Sequence, residues 1–183
     1  MAQDIIWKRC HSLQKNRLPP TIKHSLLDRG SLTERLIAAS SGDFRVQVLS
    51  QRWQCPEKDE ALLLGMKPRE YALVREVLLL CHGEPWVYAR SVIPHQSLAG
   101  PLRFLRRLQN QALGGLLFRD PLLERSHFDI ARIRLPHEAI PVASQSCDVY
   151  GRRSLFLLKQ QPLLVAEIFL PACKLPGTAP QPV

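Results

Sequence analysis

Residues 73–94 read LVREVLLLCHGEPWVYARSVIP. Two runs of aliphatic and aromatic residues flank Cys81-His82-Gly83-Glu84-Pro85, the pattern of two antiparallel strands joined by a tight turn. Successive side chains on a strand point to opposite faces. Arg75 therefore shares a side with Tyr71, Leu73, Val77 and Leu79, and Arg90 with Trp86, Tyr88 and Val92. If His82-Gly83 is a two-residue turn, paired positions sum to 165 and Arg75 faces Arg90. Like charges directly opposed destabilise a sheet, so that register calls for an anion between them. A register one residue away moves Arg90 towards Glu76 as an ordinary ion pair. Spacing alone leaves both registers open.

The other 161 residues bound what such a hairpin could serve. A chain of 183 residues is long enough to bury its own core and is expected to form one domain over residues 1–175, with a flexible Pro-rich tail at 176–183. The net charge of +9 favours an anionic partner. The basic residues sit in small scattered groups (Lys8-Arg9; Arg103, Arg106 and Arg107; Arg152-Arg153) with little aromatic interleaving, which argues against a nucleic-acid platform. Five cysteines, Cys10, Cys55, Cys81, Cys147 and Cys173, form no C-x-x-C pair and read as reduced thiols. The six histidines show no metal-binding spacing, so no metal site is expected. The N-terminus lacks the apolar stretch of a signal peptide, and no apolar run approaches the ~20 residues of a membrane span. A soluble, cytoplasmic protein without membrane insertion is the expectation.

Outward from the hairpin, residues 1–19 are polar and basic and are expected to wrap over the surface. Thr21 to Arg29 carries Ile22, Leu26 and Leu27 at helical spacing and stops at Gly30. Ser31-Leu32-Thr33-Glu34 has the form of a capping box and opens a helix ending near Ser40-Ser41-Gly42. It leaves the amides of Leu32 and Thr33 at a helix N-terminus, which either satisfies its own helix or favours an anion. Phe44 to Leu49 alternates as a strand, and residues 50–69 read as a connection with an apolar patch at 62–64. Gly100-Pro101 is expected to open a helix with Leu102, Leu105, Leu108 and Ala112 on its apolar face, ended by Leu113-Gly114-Gly115. Residues 123–134 alternate weakly, with Phe128 and Ile130 on one face, and 135–147 read as a loop. Ser154–Lys159 and Leu163–Leu170 form a second hairpin turning at Gln160-Gln161-Pro162. Antiparallel strands with helices set apart make this an α+β chain with a single antiparallel sheet.

The last strand, Leu163 to Leu170, contains one ionisable residue. Glu167 shares its face with Leu163, Val165 and Phe169, where a carboxylate must be paired, hydrogen-bonded or protonated. It reads either as a buried salt bridge to Arg75 or Arg90, or as the carboxylate end of a pocket with cations opposite.

REVLLLCHGEPWVYARSVIP, LAGP, ALGGLLF, GRRS and PLLVAEIFLPA together resemble bacterial chorismate pyruvate-lyase over roughly residues 25–175. The resemblance implies a cofactor-free monomer built on an antiparallel sheet, its ligand enclosed beneath helical flaps. It implies conversion of chorismate to 4-hydroxybenzoate and pyruvate at the start of ubiquinone synthesis. By position, Arg75 matches the arginine that holds the ring carboxylate; Leu113 and Leu32 match residues that contribute backbone N–H groups to it. Glu167 matches the carboxylate that meets the ring hydroxyl, and Arg90 an arginine assigned to the enolpyruvyl carboxylate. Residues 135–150 depart from the family pattern. The competing function is a non-catalytic effector-binding domain of the same fold that recognises a small aromatic carboxylate. Such domains normally follow a winged-helix DNA-binding domain, and no recognition helix is evident here.

Overall fold

The computed structural model describes residues 5–10, 18–100, 102–142 and 146–176. Strand β1 (Lys8–Arg9) is followed by helices α1 (Pro20–Leu27) and α2 (Leu32–Ala39). Proline opens α1, and Ser31 caps α2 by accepting the Glu34 amide at 3.3 Å. Strand β2 (Phe44–Gln54), helix α3 (Lys58–Leu63) and the hairpin β3 (Ala72–Cys81) and β4 (Glu84–Pro94) come next. Two 3-10 segments (Gln96–Leu98, Arg103–Arg107) lead to α4 (Leu113–Leu117). Strands β5 (Glu124–Arg125), β6 (Asp129–Arg134), β7 (Asp148–Leu158) and β8 (Gln161–Phe169) complete an eight-stranded antiparallel sheet. Its order is β1-β6-β7-β8-β4-β3-β2, with β5 also paired to β7. The α+β class and the single antiparallel sheet agree with the sequence reading.

The register of the central hairpin combines both readings of the sequence. His82 and Gly83 have φ of 53° and 74°, the geometry of a two-residue hairpin turn. Next to that turn Cys81 pairs with Glu84 and Leu80 with Pro85, as a sum of 165 requires. The register then shifts: Leu79 pairs with Val87, and Trp86 is the extra residue of a β-bulge. Trp86 and Val87 consequently enter the same apolar cluster, and the Trp86 carbonyl accepts the Leu170 amide at 2.9 Å. Beyond the bulge Arg75 faces Ser91, and Glu76 faces Arg90. Arg75 and Arg90 are therefore on opposite faces of the sheet.

Each face buries its own core. On the Arg75 face, α1 and α2 pack Leu26, Leu32 and Leu36 over Val77, Leu79 and Phe169. The 3-10 segments and α4 pack Leu102, Leu105 and Leu117 over Leu73, Phe156 and Leu163. On the other face, the segment before β7 covers Leu78 and Ile168, while Leu64 and neighbouring residues cover Val74 and Leu164.

Four expectations change. The region read as a connection at 50–69 continues β2 to Gln54 and then forms α3, where the Glu57 amide donates to the Glu60 carboxylate at 3.0 Å. The 100–112 segment is not one α-helix; Leu102, Leu105 and Leu108 are buried from short 3-10 turns instead. Gly114 and Gly115 open α4 rather than end a helix. Finally, β7 begins at Asp148, six residues before Ser154, and turns at Lys159-Gln160, both at positive φ. Residues 5–10 place β1 at the sheet edge. Residues 177–183 of the expected tail lie outside the described residues.

On the back face, the Arg90 guanidinium donates to both Glu60 oxygens (Nε to Oε1 2.8 Å, Nη2 to Oε2 3.0 Å) and to Glu76 (2.9 Å), which also accepts the Tyr88 hydroxyl at 2.8 Å. Burial pushes the Tyr88 phenol up, and the Glu76 carboxylate beside it adds to the shift. Breaking one partner of a buried pair costs about 3–5 kcal/mol. Glu60→Ala should lower the unfolding free energy by about that much in urea denaturation. A loss below about 1 kcal/mol would mean that α3 is not held to the sheet by this pair.

Candidate functional site

The bulge leaves a polar stripe running through the apolar front face. Arg75 on β3, Ser91 on β4 and Glu167 on β8 line a cavity together with Val77, Ala89 and Val165. Its roof comes from two separate parts of the chain: Leu32 and Thr33 at the start of α2, and Ala112 to Gly114 with Leu117 and Phe118 around α4. About 550 Å³ is free of protein atoms, including the part open to solvent.

At one end, Arg75 is 2% exposed. Its Nη2 donates to the carbonyls of Gln109 (2.8 Å) and Gln111 (3.0 Å), fixing the loop before α4. Its Nε is buried without a hydrogen-bond partner among the described residues. Burial lowers the guanidinium pKa, so an anion would restore what desolvation takes away. Both roof helices begin beside this end, and first-turn amides of a helix have no intrahelical acceptor. The two helix starts touch closely. A Cβ on Gly114 would stand 2.9 Å from Thr33 Oγ1, so glycine is required here for approach and not to end a helix.

At the other end, Glu167 Oε2 accepts from Arg152 Nε at 2.6 Å and lies 3.7 Å from Arg125 Nη2. Arg152, 1% exposed, reaches across to α1, where its Nη1 donates to the carbonyls of Ser25 (2.9 Å) and Asp28 (2.6 Å). Arg125 is enclosed by aromatic rings, with its guanidinium carbon 4.4 Å from the Phe128 centroid and 4.8 Å from that of Phe156. Burial, reinforced by Arg152, pushes the Arg125 guanidinium down to about 10 despite the opposing pull of Glu167. Three guanidiniums and one carboxylate leave this region with two formal positive charges at neutral pH.

Of the residues singled out from sequence, Arg75, Leu32, Leu113 and Glu167 converge on one cavity. Arg90 does not: the Trp86 bulge turns it to the back face, where Glu60 and Glu76 already take its donors. Glu167 is paired, but with Arg152 and Arg125 and with neither arginine of the hairpin. Arg152 lies opposite Glu167 in the β7–β8 register. The signal was in the sequence, since Arg152, Ser154, Phe156 and Leu158 alternate onto one face; starting the strand at Ser154 hid it. Arg125 was obscured because 123–134 reads as one weak strand, whereas it forms two short ones.

The family model described as Chorismate lyase matches residues 1–175. A "Probable chorismate pyruvate-lyase" of Pseudomonas aeruginosa strain UCBPP-PA14 is 38% identical over 172 residues, covering 94% of each chain. One of the same name from Methylococcus capsulatus is 45% identical over 150 residues, covering 80% of this chain and 93% of that protein. Among solved structures, the effector domain of PhnF from Mycobacterium smegmatis aligns with a TM-score of 0.56 at 16% identity, over 78% of this chain and 90% of that one. The ligand-binding domain of a putative GntR-family transcriptional regulator from Bordetella bronchiseptica aligns with a TM-score of 0.53 at 14% identity, over 72% and 87%. These two likenesses are of fold alone. Among the described residues no helix is long and apolar enough to cross a membrane, and no group of three or more His, Cys, Asp or Glu is placed to hold a metal ion.

The Gly114–Thr33 contact makes the roof testable. Gly114→Ala should force α2 and α4 apart, costing about 1–3 kcal/mol as overpacking does. Stability and 4-hydroxybenzoate affinity should fall together in thermal melts and titrations. Adding Thr33→Ala, which removes the opposing hydroxyl, should restore most of both; a double variant no better than the single one would show that the contact is not the cause.

Proposed function

The chain belongs to the chorismate lyase family, and we propose that it is a chorismate pyruvate-lyase, cleaving chorismate to 4-hydroxybenzoate and pyruvate without metal or cofactor. The observation that carries this reading is the pairing, within one enclosed cavity, of a carboxylate-binding end at Arg75 with a hydroxyl-binding end at Glu167. Chorismate is a dianion with a ring hydroxyl, and the surplus of two positive charges around the cavity matches it. As the resemblance implies, the protein acts as a cytoplasmic monomer and its product enters ubiquinone synthesis.

The chemistry asked of the site is modest. A hydrogen leaves the ring carbon that bears the hydroxyl, the neighbouring ether C–O bond breaks, and the ring becomes aromatic. The departing enolpyruvate becomes pyruvate when that hydrogen, or a proton in its place, reaches its methylene carbon. Aromatisation supplies the driving force, so the protein contributes orientation and electrostatics. Arg75 Nε and the amides of Leu32 and Leu113 hold the ring carboxylate. Glu167 accepts the hydrogen bond of the ring hydroxyl and fixes the rotation of the ring. Val77, Ala89 and Val165 flank it and exclude water.

Incubation of the pure protein with chorismate in excess chelator should yield 4-hydroxybenzoate and pyruvate in equal amounts. Absence of either product overturns the reading and favours a domain that only binds. A hydrogen bond to a charged group contributes about 1.5–3 kcal/mol. Arg75→Ala should therefore weaken 4-hydroxybenzoate binding by about tenfold to a hundredfold while the protein stays folded; unchanged affinity would remove Arg75 from the carboxylate end. Glu167→Gln separates two roles: loss of kcat with affinity retained assigns it a proton, and near-normal kcat assigns it positioning alone.

A further inference from the structure

Arg152 has no assigned part in the chemistry above, yet it is among the most completely buried side chains in the protein. A guanidinium is a planar fork of five donors, in which Nε–H and Nη2 share one edge. Arg152 commits Nε to Glu167 Oε2 and Nη1 to the end of α1. Its Nη2, on the same edge as the bond to Glu167, is buried without a partner among the described residues. On the carboxylate itself, Oε1 makes no hydrogen bond to the described residues, and Glu167 lines the cavity. A buried unpaired donor beside a cavity-lining carboxylate is costly in a structure that satisfies its other strand arginine, Arg90, completely.

We propose that Arg152 is a positioning residue for the hydroxyl end of the ligand, presenting its Nη2 donor beside the Glu167 Oε1 acceptor so that the pair selects a group able to donate and accept at once. A hydroxyl does both: its hydrogen goes to Oε1 and its oxygen takes the hydrogen of Nη2. An aromatic amine at the same ring position donates to Oε1, but its nitrogen lone pair is drawn into the ring and accepts poorly. A hydrogen there uses neither group, and a carboxylate is repelled by Glu167. Anchoring Arg152 on the carbonyls of Ser25 and Asp28 also holds the donor at a fixed height above the sheet. The inference rests on the lyase reading for the identity of the ligand, though the selectivity belongs to the pocket alone.

The test is a titration of 4-hydroxybenzoate, 4-aminobenzoate and benzoate into the wild-type protein, Arg152→Lys and Arg152→Gln, with chorismate turnover measured alongside. The wild type should bind the hydroxy compound about tenfold or more tighter than the amino compound. Arg152→Gln should lose about tenfold for 4-hydroxybenzoate and less than about threefold for benzoate, with Arg152→Lys between it and the wild type. A purely structural role weakens all three ligands alike, and that result overturns the proposal. So does a wild type that binds the hydroxy and amino compounds within about twofold, a comparison that needs no variant to fold. The expected ligand order without chorismate turnover would remove the lyase reading and keep the donor–acceptor pair. Turnover with no preference for the hydroxyl would remove the pair alone.

Discussion

One extra residue in β4 determines what every ionisable side chain of the central hairpin can do. The bulge at Trp86 shifts the pairing by one position, and a shift of one exchanges the two faces of a strand. Without it, Arg75 and Arg90 would face each other, and the front of the sheet would carry two opposed cations next to Glu167. With it, the front keeps Arg75 and Ser91, and Arg90 passes to the back with Glu76. The indole that causes the shift is itself buried in the apolar cluster under α1 and α2. Core packing and placement of charge are thus consequences of a single residue.

The two faces then treat buried charge differently. On the back, Arg90 meets Glu60 and Glu76, and Arg153 meets Asp59 and Asp129, and neither guanidinium keeps a buried nitrogen without a partner. Such closed pairs hold α3 and β6 to the sheet and leave no donor for a ligand. On the front, Arg75 and Arg152 each retain one buried, unpartnered nitrogen, and each lies at one end of the cavity stripe. A partly satisfied network is the expensive kind, and it occurs where a ligand would complete it.

How much of this was legible in the sequence followed from how local each signal is. The turn at His82-Gly83, the cap at Ser31 and the lone carboxylate of β8 were all visible, because each depends on a few adjacent residues. Arg75, Leu32, Leu113 and Glu167 were found through ordered family blocks, and they converge in space. The bulge was not legible, since an extra residue in a strand leaves no mark on the alternation until the partner strand is known. Arg90 was misplaced for that reason. The glycines after Leu113 misled for a related one: their purpose is close approach to Thr33, which lies about 80 residues away in the chain. Local rules assign glycine to a helix end unless the neighbour is known.

The same long-range contacts explain why roof and site behave as one unit. Each half of the roof is fastened to the arginine it covers: residues 109 and 111 to Arg75 Nη2, and residues 25 and 28 to Arg152 Nη1. A ligand that binds the remaining donors orients the guanidiniums that hold the roof, and a closed roof in turn fixes the donors for the ligand. By linkage, whatever stabilises one must stabilise the other by the same free energy. Entry and release then require two carbonyl-tethered segments to part at the Thr33–Gly114 contact. An enclosed site of this kind is expected to spend part of its turnover waiting for product to leave.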